Sequence, residues 1–343
     1  MKSYKIKNTD LVVSRISFGC ASLGGWNKGV IDADTLRDAE TLIHTAREVG
    51  ITLFDHADFY GLGNGELAFG EVLKRTPSLR DEIVIQSKCG QLMPGDPGPT
   101  DPYRIDLSRD HIVRSVEGSL KRLSTDYLDI FLLHTPDALM VPEEIGEAFE
   151  ELKKSGKVRH FGVSNFSVTQ IALLQKGIGE RLIVNQIQLG LAHAHPIIDG
   201  MEFVLEVGQD IGEVMSGQGK SRFVNAFASP GAPGVLDYCC LHDIQVQAWS
   251  PLRGELLSSA PPRSPRMQKA TELLAAMAAE RGVTPAAIAL AWLLRHPAGI
   301  VPVFGTSSPK HLIENCEGDG ITLSRSEWYA LFTLAGQLTY RQT

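Results

Sequence analysis

The chain has 343 residues, 43% of them hydrophobic and 21% charged, with a formal net charge of −7 at pH 7. This is the composition of a globular chain and not of a disordered or fibrous one, and the acidic balance without a Lys/Arg block argues against nucleic acid or an anionic membrane surface as partner. Five cysteines in no CxxC spacing argue against a disulfide framework or a zinc site and point to a reducing compartment.

The opening MKSYKIKNTD lacks the apolar stretch of a signal peptide, and no apolar run approaches a membrane span, so a cytoplasmic protein with no membrane partner is expected. Residues 2–13 read as a hairpin that plugs the bottom of the following fold. Apolar or β-branched runs then occur at 16–20, 51–54, 83–88, 127–134, 158–163, 182–187, 244–250 and 300–304. Between them lie amphipathic stretches such as 34–49, 109–123, 143–155 and 266–281, with apolar positions three and four apart. Ser108 and Thr284-Pro285 are helix-start signals, and Gly50, Gly156 and Gly282 stand where helices should stop.

Strand and helix alternating eight times predict an α/β fold, a (β/α)8 TIM barrel, with residues 1–343 as a single domain. One region breaks the rhythm. Residues 191–236 are too long for a simple connection after the sixth strand and are rich in Gly, Pro and Ser. They read as an inserted loop with a helix around 200–215.

The stretch FDHADFYGLGNGE, residues 54–66, nearly spells a dinucleotide-binding glycine fingerprint. In that motif the glycines follow the strand directly and open a helix. Here six residues separate the strand from Gly61, and no acidic ribose anchor follows. The glycines are therefore expected to punctuate a loop.

Asp55 then ends a buried strand, at the mouth where a βα barrel builds its site. Lys88 and His134 end the third and fourth strands, and Tyr60 follows Asp55 by five residues. A buried lysine salt bridge and a capping histidine would account for Lys88 and His134 taken singly. Together the four make a specific apparatus. A tyrosine is a poor proton donor at its ordinary pKa near 10. A neighbouring ammonium lowers that pKa, and a carboxylate keeps the ammonium charged and oriented. The set suits protonation of a carbonyl oxygen as hydride reaches the carbon.

The sequence resembles the aldo-keto reductase family. The matching text is FDHADFYG (54–61), QSKCG (86–90), FLLH (131–134), RHFGVSNF (159–166), VNQIQ (184–188), QAWSPL (247–252) and VPVFGTSSPKHLIEN (301–315). The FDHAD, KCG and LAHAHP spellings are most like the bacterial oxidoreductase branch typified by the YdhF-like proteins. The resemblance implies that Tyr60 is the general acid, tuned by Lys88 and Asp55, and that His134 orients the carbonyl. It implies NADPH as cofactor, with NADH possible. Ser164, Asn165 and Gln186 would hold the carboxamide, and Trp249 would stack on the nicotinamide. Ser250, Leu252 and Arg253 would lie along the pyrophosphate. Gly305, Thr306, Ser307 and Lys310 would meet the adenosine phosphate, and Glu314 and Asn315 the adenine. Many members have Arg where this chain has His311, and Lys where it has Gly305; neutral His offers no bidentate fork for phosphate.

Other signals take less weight. His193-Ala-His195 has no acidic or Cys partner nearby, so no metal is expected. His56 should face away from Asp55 as packing, and Cys89 should be buried. The expected partner is a small-molecule carbonyl substrate, in a pocket that Trp26, Tyr103 and Met140 would line, and the sequence leaves the oligomeric state unknown. Two rival readings are a cofactor-binding, redox-responsive partner subunit with little or no turnover, and a barrel aldolase or isomerase using Lys88 for a Schiff base.

Overall fold

A computed structural model describes residues 1–25, 29–96, 98–198, 234–257 and 265–335. The chain opens with an antiparallel pair, β1 (Ser3–Lys5) and β2 (Val12–Ser14), as the sequence predicts. The strands β3 (Ser17–Gly19), β4 (Leu53–Asp55) and β5 (Val84–Cys89) follow. A short antiparallel pair, β6 (Gln91–Leu92) and β7 (Arg104–Ile105), decorates the loop after β5. The remaining strands are β8 (Leu128–Leu133), β9 (Val158–Ser164), β10 (Leu182–Gln188), β11 (Gln245–Trp249) and β12 (Val301–Phe304).

Strands β3, β4, β5, β8, β9, β10, β11 and β12 pair in parallel in that order, and β12 closes on β3. All eight expected strands are present, each within about three residues of its predicted bounds.

Alternate residues of each strand serve two different cores, because successive side chains point to opposite faces. Phe54, Ile85, Phe131, Phe161 and Val246 face outward and pack under the helices, where Phe149 of the helix Pro142–Lys154 stacks on Phe161 at 4.0 Å. Leu53, Val84, Ile130, Val184 and Val301 face inward and meet Ile6, Leu11 and Val13 of the hairpin segment. The hairpin therefore seals the bottom of the barrel.

Helix boundaries follow local chemistry. The Asp32 carboxylate accepts the Thr35 N–H at 2.7 Å to open the helix Ala33–Glu48, and Gly50, at φ 89°, reverses the chain after it. Thr284 caps the helix Pro285–Leu294 through the Ala287 N–H. Ser108 does stand at the start of Arg109–Leu123, but its hydroxyl makes no cap bond. The Asp106 carboxylate instead accepts the Ser108 N–H.

No single described helix is long and apolar enough to cross a membrane. Of the expected insertion, residues 199–233 lie outside the described residues, with the helix expected at 200–215. Its flanks are the short helices His195–Ile198 and Val235–Leu241.

Candidate active site

The C-terminal mouth of the barrel opens into a cleft of about 680 Å³, walled by Asp55, Tyr60, His134, Gln186 and Trp249, and continuing past Arg253 to Gly305. Eight strand ends converge there. Asp55 ends β4, Lys88 is the penultimate residue of β5, and His134 follows β8 directly.

Tyr60 reaches the same place through a tight loop. Gly61, Leu62 and Gly63 take φ values of 59°, 57° and 95°, turning the chain from β4 into the helix Asn64–Arg75. A Cβ on Gly61 would lie 2.3 Å from the Gly25 carbonyl oxygen. The glycines are a turn packed against a neighbouring loop, as expected.

The four side chains meet. Lys88 is fully buried, and its ammonium donates to Asp55 Oδ2 at 2.8 Å, to the His56 carbonyl at 2.7 Å and to the Tyr60 hydroxyl at 3.2 Å. Those three bonds use all three of its donors. Tyr60 and His134 stand edge to face, with ring centroids 5.9 Å apart, and Phe59 packs on both.

The electrostatics follow from this packing. Burial works against the Lys88 ammonium, but Asp55 and Tyr60 outweigh it and hold its pKa above the usual lysine value. Burial and then the Lys88 charge push His134 well below the usual imidazole value, so the ring is neutral at pH 7.

Tyr60 departs from expectation. Its pKa is raised, because the cost of burying phenolate exceeds what Lys88 returns, and Asp55 adds to the rise. Lys88 spends much of its field on Asp55, two bonds from the phenol. Tyr60 is thus a hydroxyl that keeps its proton throughout the neutral range.

Around these four, the carboxamide candidates are tied to one another. Ser164 Oγ donates to the Gln186 carbonyl at 2.8 Å, and Asn165 Nδ2 donates to the His134 carbonyl at 3.0 Å. The Trp249 indole N–H donates to Asn165 Oδ1 at 2.8 Å. Gln186 turns its NH2 inward to Asp55 and Gln247, which leaves its carbonyl oxygen as the free group on that amide.

Ser250, at φ 51°, starts a turn closed by Arg253, whose exposed side chain makes no ion pair among the described residues. At the last strand, a Cβ on Gly305 would sit 2.5 Å from the Gly19 carbonyl oxygen. The close approach of β3 excludes a lysine there. Ser308 caps the helix Pro309–Cys316 by accepting the His311 N–H, and Thr306 accepts the Ser308 N–H. Ser307 is exposed, Lys310 is exposed and 3.6 Å from Glu314, and Asn315 is buried.

A dinucleotide fits this donor set. A flat indole beside the acid–base cluster, an amide oxygen, an exposed guanidinium and a hydroxyl-rich helix start lie along one cleft.

Two pocket expectations fail among the described residues. Tyr103 is 50% exposed, and Met140 packs against the hydrophobic core; neither lines the cleft. Trp26 lies outside the described residues. The walls include Ser22, Phe59 and Gln91 instead. Gln91 follows Lys88 by three residues, the one sequence cue that it belongs to the same rim.

The remaining signals are structural. His56 is fully buried, packs edge to face on Phe69 at 4.6 Å and is pushed down to about 3 by burial and Lys88. Cys89 is buried and its thiol pushed well up. The His193 and His195 rings are 5.8 Å apart, and no cluster of three metal-ligating side chains occurs among the described residues.

The model of the Aldo/keto reductase family matches residues 15–200 and 225–332. The chain belongs to the aldo/keto reductase family. It is 35% identical to a 6-dehydroglucose reductase of Agrobacterium fabrum, over 95% of each chain. It is 33% identical to oxidoreductase YdhF of Escherichia coli, over 93% of this chain and 92% of that one, which puts this aldo/keto reductase in the YdhF-like branch. Among solved structures it superposes on an aldo-keto reductase from Klebsiella pneumoniae in complex with NADPH. That match has a TM-score of 0.68 and 26% identity, and covers 94% of this chain and 92% of the other. Membership makes this aldo/keto reductase an oxidoreductase.

Proposed function

We propose that the chain reduces aldehydes or ketones to alcohols with NADPH, Tyr60 being the proton donor. The observation that carries this reading is the Lys88 ammonium, which bridges Asp55 and the Tyr60 hydroxyl beside a neutral His134. The solved NADPH complex of the Klebsiella relative supports the choice of cofactor. The reduced nicotinamide supplies a hydride to the carbonyl carbon when bound.

Every other demand falls on this chain. Gln186, Asn165 and Ser164 would orient the carboxamide end, Trp249 would stack on the nicotinamide, and Ser250, Leu252 and Arg253 would hold the pyrophosphate. Gly305, Thr306, Ser307 and Lys310 would meet the adenosine phosphate, with Glu314 and Asn315 at the adenine. His134, uncharged, donates a hydrogen bond from the ring nitrogen that faces the cleft, which fixes the carbonyl oxygen beside Tyr60. The Tyr60 O–H then passes its proton to that oxygen as negative charge develops on it. Lys88 donates to the phenolate left behind, and Asp55 keeps Lys88 protonated. The donors are in place before charge appears, which is how such a site lowers a barrier. In alcohol oxidation the same atoms run in reverse, with Tyr60 phenolate as base.

A Schiff-base role for Lys88 fits poorly, since an amine nucleophile needs a depressed pKa and a free lone pair. Here the pKa is raised and all three N–H groups are engaged. Ser22, Gln91 and Arg253 give the described cleft a polar rim. With a 6-dehydroglucose reductase among the relatives, hydroxylated sugar aldehydes belong in the first substrate panel.

The test is NADPH oxidation with 4-nitrobenzaldehyde and that panel, for the native protein and Tyr60→Phe. Turnover should fall by roughly 10²–10⁴-fold in the variant while NADPH binding persists. A variant as active as the native protein would remove Tyr60 from the mechanism. Binding without turnover in the native protein would favour the partner-subunit reading.

A further inference from the structure

The interior layers of a βα barrel are ordinarily filled by Val, Ile and Leu. Directly beneath the site this barrel departs from that rule. Gln86 on β5, Gln186 on β10 and Gln247 on β11 all point inward and are 0%, 1% and 0% exposed. Strand register sets them in a ring with Asp55: Asp55 is paired with Gln86, and Gln186 with Gln247.

Burying a primary amide costs free energy unless its hydrogen bonds are remade. An apolar layer would avoid that cost, so the amides call for a reason.

Their bonds supply one. Gln86 Nε2 donates to Asp55 Oδ1 at 2.6 Å, and Gln186 Nε2 donates to the same oxygen at 3.0 Å. Gln86 and Gln247 form a reciprocal amide pair, with N···O distances of 2.8 and 3.0 Å, and Gln186 Nε2 reaches Gln247 Oε1 at 2.9 Å. A carboxylate only accepts. Both amides must therefore turn their NH2 groups toward Asp55, and this orientation fixes every other amide in the ring.

We infer that Gln86 and Gln247 are positioning residues for the proton donor: Gln86, braced by Gln247, holds Asp55 Oδ1 so that Oδ2 faces Lys88 and Lys88 faces Tyr60. The inference rests on the proposed role of Tyr60. Two N–H donors on Oδ1 also draw charge from the carboxylate and thereby soften its field at the phenol. Remove the Gln86 donor and Tyr60 feels more of the negative charge, so its hydroxyl gives up its proton less readily. Gln186 belongs to the same ring, but its free oxygen lies at the expected carboxamide position, so the cleaner probes are Gln86 and Gln247.

The test titrates Tyr60 without any substrate, as the ultraviolet difference between each protein and the same protein carrying Tyr60→Phe. Three buried glutamines are replaced singly by Met, a side chain of similar length. Gln86→Met should move tyrosinate formation up by about one pH unit, a tenfold change in the proton equilibrium. Gln247→Met, which leaves both Asp55 donors but removes the brace, should move it less. Gln245→Met should not move it, because Gln245 touches Gln247 at 3.3 Å and makes no bond to Asp55. In steady state kcat should fall in the same order, about tenfold for Gln86→Met, with KM for the carbonyl little changed.

A packing role predicts similar stability losses at all three sites and no order in the titration. An unshifted Tyr60 in folded Gln86→Met overturns the inference. Should that variant fail to fold, an unshifted Tyr60 in Gln247→Met does the same. Because the titration needs no turnover, the two failures are distinguishable: inactivity of the native protein would sink the proton-donor role, whereas an unshifted Tyr60 would sink the positioning by Gln86 and Gln247.

Discussion

Lys88 Nζ and Asp55 Oδ2 lie 2.8 Å apart inside the barrel, with the lysine side chain fully shielded from solvent and the aspartate nearly so. Removing one member of such a pair strands the other charge, at a cost of about 3–5 kcal/mol. Lys88→Met should therefore be destabilised by that order in urea denaturation. Adding Asp55→Asn should recover part of the loss, because the two changes share one interaction. Additive losses in the double variant would show that the pair is not coupled. Both single variants should lose most turnover.

Neutral His134 has a kinetic signature. Burial and Lys88 hold its pKa well below 6.5, so its protonation lies outside the ordinary assay range. The kcat/KM profile for reduction should be flat from about pH 6 to 8, where an unperturbed histidine would titrate. A limb near pH 6.5 that vanishes in His134→Asn would show that the imidazole is charged in the working enzyme.

Two groups behind the site, His56 and Asp58, make stability depend on pH in opposite directions. His56 is pushed down to about 3, so its contribution is present above about pH 6.5 and is lost as pH falls toward 3. The full loss is on the order of 4–5 kcal/mol.

Asp58 is the reverse. Burial, then Glu66, push it up to about 8, so its contribution is complete below the ordinary carboxyl range and is lost as pH rises toward 8. One of its oxygens, Oδ1, is buried without a partner. Asp58→Asn should accordingly gain stability over the native protein between about pH 4 and pH 8, increasingly with pH. Parallel stability curves for the two proteins across that range would contradict the assignment.

Cofactor choice should respond to one residue. His311 is exposed on the helix Pro309–Cys316, and its ring offers phosphate no permanent charge. His311→Arg should tighten NADPH by roughly tenfold, about one charge-assisted hydrogen bond, and leave NADH unchanged. Equal effects on both cofactors in fluorescence titration would place the phosphate elsewhere.

Much of this was legible in the sequence because a parallel barrel buries both faces of its strands. The run at 83–88 opens on Ile83-Val84-Ile85 and that at 127–134 is apolar around Asp129, and their last residues, Lys88 and His134, stand out as rim groups. The same property hid the glutamine ring. With both faces buried there is no alternation to mark which residues face inward, so Gln86 and Gln247 look like incidental polar residues. The upward shift of Tyr60 was equally illegible. Its sign depends on whether burial or Lys88 wins, and sequence gives the neighbour but not the burial. Gly305 in place of a lysine reads as a loss of charge until β3 is seen, with the Gly19 carbonyl occupying the space of a side chain. Loop position alone points Tyr103 and Met140 toward the pocket, and loops are where position in the chain says least about position in space.

The hairpin closes the lower end of the barrel, and the cleft lies at the opposite end. Among the described residues, Lys88 meets the cleft beside Tyr60 and His134. In the proposed reaction, the proton that restores the spent phenol must enter by the route the alcohol takes out. Recharging and product departure then form a queue, and a slow-leaving alcohol would delay both.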